Sequence, residues 1–142
     1  MKVTLSVDHK TAIEISHKSL DVLIGFLDDD SAHAELFDTL VSHPSSRVRI
    51  ELAAKEHLSV ESYERLAHDA SVEVVQRLAG NMVALKSLAL ATLKVMFERD
   101  ISIASELIHW GLDELDPQRK KTVLSALGKY DDPAILDALE NL

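Results

Sequence analysis

Val48, Leu52 and Ala53 recur 26 residues later as Val74, Leu78 and Ala79, and half a unit earlier Glu35, Phe37 and Leu40 recur as Glu61, Tyr63 and Leu66. Both halves of a two-helix unit therefore repeat, and a period of about 20–50 residues is the signature of stacked helical units. Within each half the apolar positions keep helical spacing. The pattern predicts a helix near Lys18–Leu27, where Leu20, Leu23, Ile24 and Leu27 form one stripe, and another from an N-cap at Ser31 through Val41, burying Leu36, Phe37 and Leu40. Next it predicts Arg47 to about Lys55, capped by Ser46, with Val48, Leu52 and Ala53 inward and Ile50 beside them. Ser59 caps a partner helix through His68, burying Val60, Tyr63, Leu66 and Ala67, and Ser71 caps Val72–Gly80. Val83–Phe97 reads as one long helix, apolar around most of its circumference, and hence as the most buried element. Ile101–Leu112 follows. Asp116-Pro117 and Asp132-Pro133 each set an acidic N-cap before a proline at the first helical position, and Gly128 stands as a C-terminal cap.

Ahead of the helices, Val3, Leu5 and Val7 alternate with polar residues. Ala12, Ile13 and Ile15 do so less cleanly, with Asp8-His9-Lys10 between the two runs as a turn. Residues 1–17 thus read either as a short β-hairpin or as an irregular arm capping the helical domain of residues 18–142.

The stretch His43–Asn81 resembles HEAT-like repeats and, more closely at this period, the short leucine-rich variant repeats of bacteria. A helix ends in His-Pro or Asp-Ala, and the next opens on Val48-Arg49 and continues Leu52-Ala53. Asp116-Pro117-Gln118-Arg119 through Leu124–Gly128, followed by Asp132–Leu136, also looks HEAT-like. The resemblance implies an all-α, right-handed α-solenoid of HEAT-like helical pairs over roughly residues 18–142, and a non-catalytic module that holds another protein. HEAT-type repeats commonly carry an Asp in the inter-helix turn and an Arg six positions on. Here the first unit has Arg49 but His43 in the Asp position, and the second has Asp69 but Val75 in the Arg position. Arg49 is therefore expected to reach forward to Asp69.

A second regularity comes from the residues themselves. Arg47 and Glu51 lie one turn apart, and 26 residues on they are matched by Glu73 and Arg77, so stacking sets opposite charges side by side. A charge ladder is expected there. Arg47, Glu51, Lys55, Glu73, Arg77 and Asn81 form the candidate binding strip, with Lys55 and Asn81 at its end. Counting alternate helices from Arg47–Lys55 puts Pro117–Gly128 in the outer layer, although its sequence looks like an inner HEAT-type helix, so one element within residues 83–115 is expected to be irregular.

Composition narrows the function classes. The 142 residues carry no cysteine, which removes disulfides, thiolate metal sites and cysteine nucleophiles together. The net charge of −9 is uneven: residues 1–46 hold three basic and eight acidic groups, 47–99 eight and seven, and 100–142 four and nine. Polynucleotide affinity comes from phosphate neutralisation by Lys and Arg, so this balance opposes a nucleic-acid partner. No apolar run approaches a membrane span and the first residues lack a secretory pattern, so a cytoplasmic protein that does not cross a membrane is expected. Homo-oligomerisation through the apolar Val83–Phe97 stretch is a further interaction reading.

Candidate chemistry is sparse. His17, His43 and His68 are spaced by 26 and 25 residues, yet repeat-related positions stand about 10 Å apart and ligands of one ion about 2 Å from it. The alignment thus works against a shared metal site, and none of His9, His33, His57 or His109 joins a metal-binding motif. Asp28-Asp29-Asp30 reads as a solvated loop. No catalytic elbow or phosphate loop is present, so neither catalytic residues nor a cofactor are assigned. HEAT-like folds do include nucleobase glycosylases and bilin lyases, which keeps an enzyme or ligand-binding protein with an acidic pocket as the alternative. Tyr63 is assigned to the core. The single tryptophan, Trp110, reads as a buried seam residue, against an exposed interface anchor.

Overall fold

A computed structural model describes residues 2–7, 11–128 and 133–141. The Asp8-His9-Lys10 turn, the Asp132 cap and the Trp110 side chain lie outside the described residues. The chain is mostly helical, with ten α-helices and one two-stranded sheet among the described residues. Of the two readings of the N-terminus, the hairpin is the one observed. β1 (Val3–Val7) pairs antiparallel with β2 (Thr11–Ile15), Val3 opposite Ile15 and Val7 opposite Thr11.

The helices are α1 (His17–Phe26), α2 (Ala34–Leu40), α3 (Ser46–Ala53), α4 (Val60–Ala67), α5 (Val72–Ala79), α6 (Met82–Ser87), α7 (Leu90–Arg99), α8 (Ile101–Trp110), α9 (Pro117–Leu127) and α10 (Pro133–Glu140). α1, α3, α5, α8 and α10 form a row in which each packs on the next, while α4 packs on α7 behind it. The core runs the length of this arrangement through Leu20, Ile24, Phe37, Leu52, Tyr63, Leu66, Leu78, Leu93, Phe97, Leu107 and Leu124. Val60 and Leu36, expected inside, are exposed. Val60 opens its helix directly after the cap, and Phe37 and Leu40 turn the buried side of α2 away from Leu36.

Helix starts follow local chemistry where a cap is strong. Ser59 Oγ accepts the Ser62 N–H at 3.2 Å, and Asp116 Oδ1 accepts the Arg119 N–H at 3.0 Å ahead of Pro117. Two expected starts shift. α2 begins at Ala34 rather than after Ser31, because Asp30 Oδ1 accepts the His33 N–H at 3.2 Å and holds a turn over the intervening residues. α3 starts at Ser46 with Ser45 in the N-cap position, its N–H donated to His43 Nδ1 at 3.1 Å and its side chain making no capping bond.

The largest departure is in Val83–Phe97, which is two helices. Leu88 and Ala89 are extended (ψ 144° and 146°), although neither is Gly or Pro. Tertiary groups hold the break. Glu64 accepts the Ala89 N–H at 3.0 Å and the Thr92 hydroxyl, capping α7 from another helix, and Arg119 Nη2 donates to the carbonyls of Leu85 (2.8 Å) and Leu88. Glu64 repeats the role of Asp38, its counterpart 26 residues earlier, which accepts from the Ser59 N–H (2.9 Å) and Ser62 Oγ (2.6 Å) at the same two positions of α4. The irregular element expected within residues 83–115 is thus α6, a short helix packed on α4 and α5. The apolar side of α7 is occupied by the chain itself, with Leu93, Met96 and Phe97 buried and Val95 exposed.

Candidate functional site

The residues of the expected strip separate into two groups. Arg47, Glu73 and Arg77 are exposed and Glu51 is half-buried. Lys55 and Asn81 are buried, because each follows the C-cap of its helix and reaches back to the end of the previous helix in the row. Lys55 Nζ donates to the Leu27 carbonyl at 3.1 Å, at the electronegative C-terminal end of α1, and stands 5.2 Å from the Phe37 ring centre. Asn81 Nδ2 donates to the carbonyls of Ala53 (3.0 Å) and Lys55 (2.8 Å), while its Oδ1 accepts the Ala84 N–H at 3.2 Å and caps α6. Tyr63, buried as expected, donates its hydroxyl to the Lys55 carbonyl at 2.8 Å. These two strip residues spend their polar groups as clamps between helices.

The same clamps fix the geometry of the exposed group. They bring the C-terminal ends of α1, α3 and α5 together, so the three helices run side by side in one direction. Adjacent helices stand about 8–10 Å apart. Glu51 lies against Gly25 of α1, where an added Cβ would meet Glu51 Oε2 at 3.4 Å. Gly25 sits between Val22 and Phe26, which are 55% and 83% exposed. The charged square of Arg47, Glu51, Glu73 and Arg77 is therefore continuous with an apolar edge on α1. That edge is the part of the face that sequence reasoning missed. Its signal was present, since Val22 and Phe26 are four residues apart and both fall off the Leu20–Leu23–Ile24–Leu27 stripe. No ion pair joins Arg47 to Glu73 or Glu51 to Arg77 among the described residues, so the expected ladder is not closed.

The forward reach of Arg49 is observed. Its Nε and Nη2 hold Asp69 Oδ2 and Oδ1 at 2.7 and 3.1 Å, and Nη1 donates to the carbonyls of His43 (2.7 Å) and Pro44 (2.9 Å). Burial pushes the Asp69 carboxyl up, but hydrogen bonds from Arg49 and the Ser71 N–H, with the charges of Arg49 and Arg99, outweigh it and hold the group below its ordinary value. Asp38 is held down in the same way: burial raises it, and Ser62 and Ser59 more than reverse that. Asp29 accepts from the Glu56 N–H (2.6 Å), the His57 N–H (3.1 Å) and His57 Nδ1 (3.0 Å), so the acidic loop pins the α1–α2 connection to the α3–α4 connection.

Clefts among the described residues include two that set charged groups together. One of about 400 Å³ is lined by Ala54, Glu56, Gln76, Arg77, Gly80, Asn81 and Met82, beside the charged square. The other, of about 320 Å³, is lined by Leu90, Asp116, Gln118, Arg119 and Thr122. Each sets one acid beside one base, and neither gathers carboxylates. No cluster of three or more potential metal ligands occurs among the described residues; His9 and the His17 side chain lie outside them. Among the described residues no helix is long and apolar enough to cross a membrane. No family model, curated protein or solved structure matches the chain.

Proposed function

We propose that this chain is a protein-binding or scaffold module, a right-handed solenoid of HEAT-like pairs that docks another protein on the face formed by α1, α3 and α5. The observation that carries the reading is the continuity of that face. Clamped helices set Arg47, Glu51, Glu73 and Arg77 at the corners of a square, three of them exposed and Glu51 half-buried against Gly25, and Phe26 on α1 is 83% exposed. A large aromatic next to charges that do not satisfy one another is the composition of an interface edge, where an apolar anchor supplies affinity and charges supply register. The row of helices from α1 to α10, and the equivalent roles of Asp38 and Glu64 one period apart, support the solenoid part of the reading. The near-neutral charge of the middle third supports a protein partner over a polyanion.

The test is quantitative affinity capture from the source cell lysate with the parent and an Arg47→Glu/Arg77→Glu variant, each confirmed folded by circular dichroism. A protein retained by the parent and lost with the variant is the expected outcome. Identical retention by both would remove the face from consideration.

A further inference from the structure

We propose that the occupant of this face is a second copy of the chain. The inference rests on the reading of the face as a docking surface and adds the identity of the partner. Its warrant is the arrangement of signs. Because α3 and α5 run in the same direction, Arg47 and Glu73 occupy one edge of the square, and Glu51 and Arg77 occupy the other, with unlike charges at every adjacent corner. A two-fold pair brings residue i of one copy onto residue j of the other and j onto i. For a two-fold axis crossing the helices between the two edges, Arg47 meets Glu51 of the second copy and Glu73 meets its Arg77, with the reciprocal pairs completing four attractive contacts. An axis running parallel to the helices pairs Arg47 with Glu73 and Glu51 with Arg77, which is also attractive. A checkerboard is thus complementary to itself under either operation, a property that a like-signed strip lacks.

The apolar edge selects the crossing axis. With it, α1 lies antiparallel on α1 of the second copy, so Val22 falls near the axis and meets its own counterpart, while Phe26 spreads over the neighbouring helix. The square itself sums to zero charge, so its four contacts carry no net repulsion. The excess acid lies in residues 1–46, which include α1, and in residues 100–142, so the pairing works against a repulsion that is screened beyond about 8 Å at physiological ionic strength. The pairing also explains why unlike charges stand side by side on one face without closing onto each other.

Sedimentation velocity at physiological ionic strength, over a concentration series reaching about millimolar, the weak limit of specific association, tests the proposal. Four full-length chains are compared: the parent; an all-acidic square, Arg47→Glu/Arg77→Glu; an all-basic square, Glu51→Arg/Glu73→Arg; and the full inversion carrying all four substitutions. The parent and the inversion, which share one net charge, should dimerise alike. The all-acidic and all-basic chains should each lose association by about tenfold or more, yet form a mixed dimer when combined. Circular dichroism verifies folding, and the inversion supplies a checkerboard of identical composition if a like-signed square fails to fold. A parent that remains monomeric, an all-acidic chain that dimerises as the parent does, or an inversion that loses association would each overturn the second copy as occupant. A monomeric parent whose captured protein is lost on charge reversal ends this proposal and leaves the docking reading standing. A parent that neither self-associates nor captures a protein ends both.

Discussion

Arg99, at the end of α7, donates to the backbone carbonyl of Asp69, the residue whose side chain Arg49 holds from α3. It also donates to the Ala70 carbonyl. Asp69 and Ala70 are the 26-residue counterparts of His43 and Pro44, whose carbonyls Arg49 covers. The second unit has Val75 where the first has Arg49, and the missing guanidinium is supplied from outside the unit. These two repeat-related turns thus each keep one arginine over the corresponding two carbonyls.

This division of labour makes Arg49 the more costly loss. Replacing it with Ala strips Asp69 of a bidentate partner in a largely buried position, where the two side chains are 16% and 8% exposed, and uncovers two carbonyls. A loss of about 2–4 kcal/mol is expected by urea unfolding, because an unpaired desolvated carboxylate remains. Arg49→Lys should recover less than half of it, since an ammonium cannot reproduce the planar fork. Arg99→Ala, on an exposed side chain, should cost about 1 kcal/mol. Equal costs at the two sites would contradict the assignment.

Asp69 and Asp38 contribute to the acid limb of stability. Both carboxyls lie below the ordinary 3.8 in the folded chain, so the folded state binds protons less readily than the unfolded one. Their contribution is complete above the unfolded value and is lost as pH falls through the lower folded value. Asp69→Asn and Asp38→Asn should therefore be most destabilised relative to the parent near neutrality. The gap should narrow below about pH 3.8, followed by denaturant unfolding at a series of pH values. A gap undiminished at about pH 3 would mean that charge is not the source of the stabilisation.

The break between α6 and α7 depends on Glu64. Its carboxylate satisfies the Ala89 N–H and the Thr92 hydroxyl, at a helix start with no side chain of its own to cap it. Glu64→Ala is expected to cost about 0.5–2 kcal/mol, the usual range for a lost cap. Amide exchange at Ala89 should accelerate more than at Leu93, whose N–H stays bonded to the Ala89 carbonyl at 3.1 Å. Uniform acceleration along α7 would indicate general destabilisation without a local cap.

What the sequence disclosed and what it hid divide along the line between local and tertiary causes. Ser59 and Asp116 were legible because a cap needs only its own next turn. The Arg49–Asp69 pair was legible because two half-filled motifs one period apart point at each other. The Leu88–Ala89 break was not, because the groups that stabilise it come from residues 64 and 119 and leave no mark in the segment they bend. Arg99 was invisible for the same reason. Lys55 and Asn81 kept the strip's 26-residue spacing, but a position just beyond a helix end directs a side chain back at free carbonyls, and periodicity alone does not show that turn.

Those two clamps respond differently to removal. Asn81 uses both N–H donors and its carbonyl oxygen in a site only 6% exposed, so Asn81→Ala leaves the Ala53 carbonyl and the Ala84 N–H without these partners. Lys55 makes one bond through a desolvated ammonium that stands over the Phe37 ring, and Lys55→Met keeps an unbranched apolar stem while relieving the burial of the charge. Asn81→Ala is expected to cost about 2–3 kcal/mol and Lys55→Met about 1 kcal/mol or less, by thermal or urea unfolding. The order is the informative part. A buried neutral amide with every bond made has no desolvated charge to relieve, whereas a buried cation with one bond does, so Lys55→Met proving the more damaging would show that the ammonium at the end of α1, and not the amide network, joins the helices of the row.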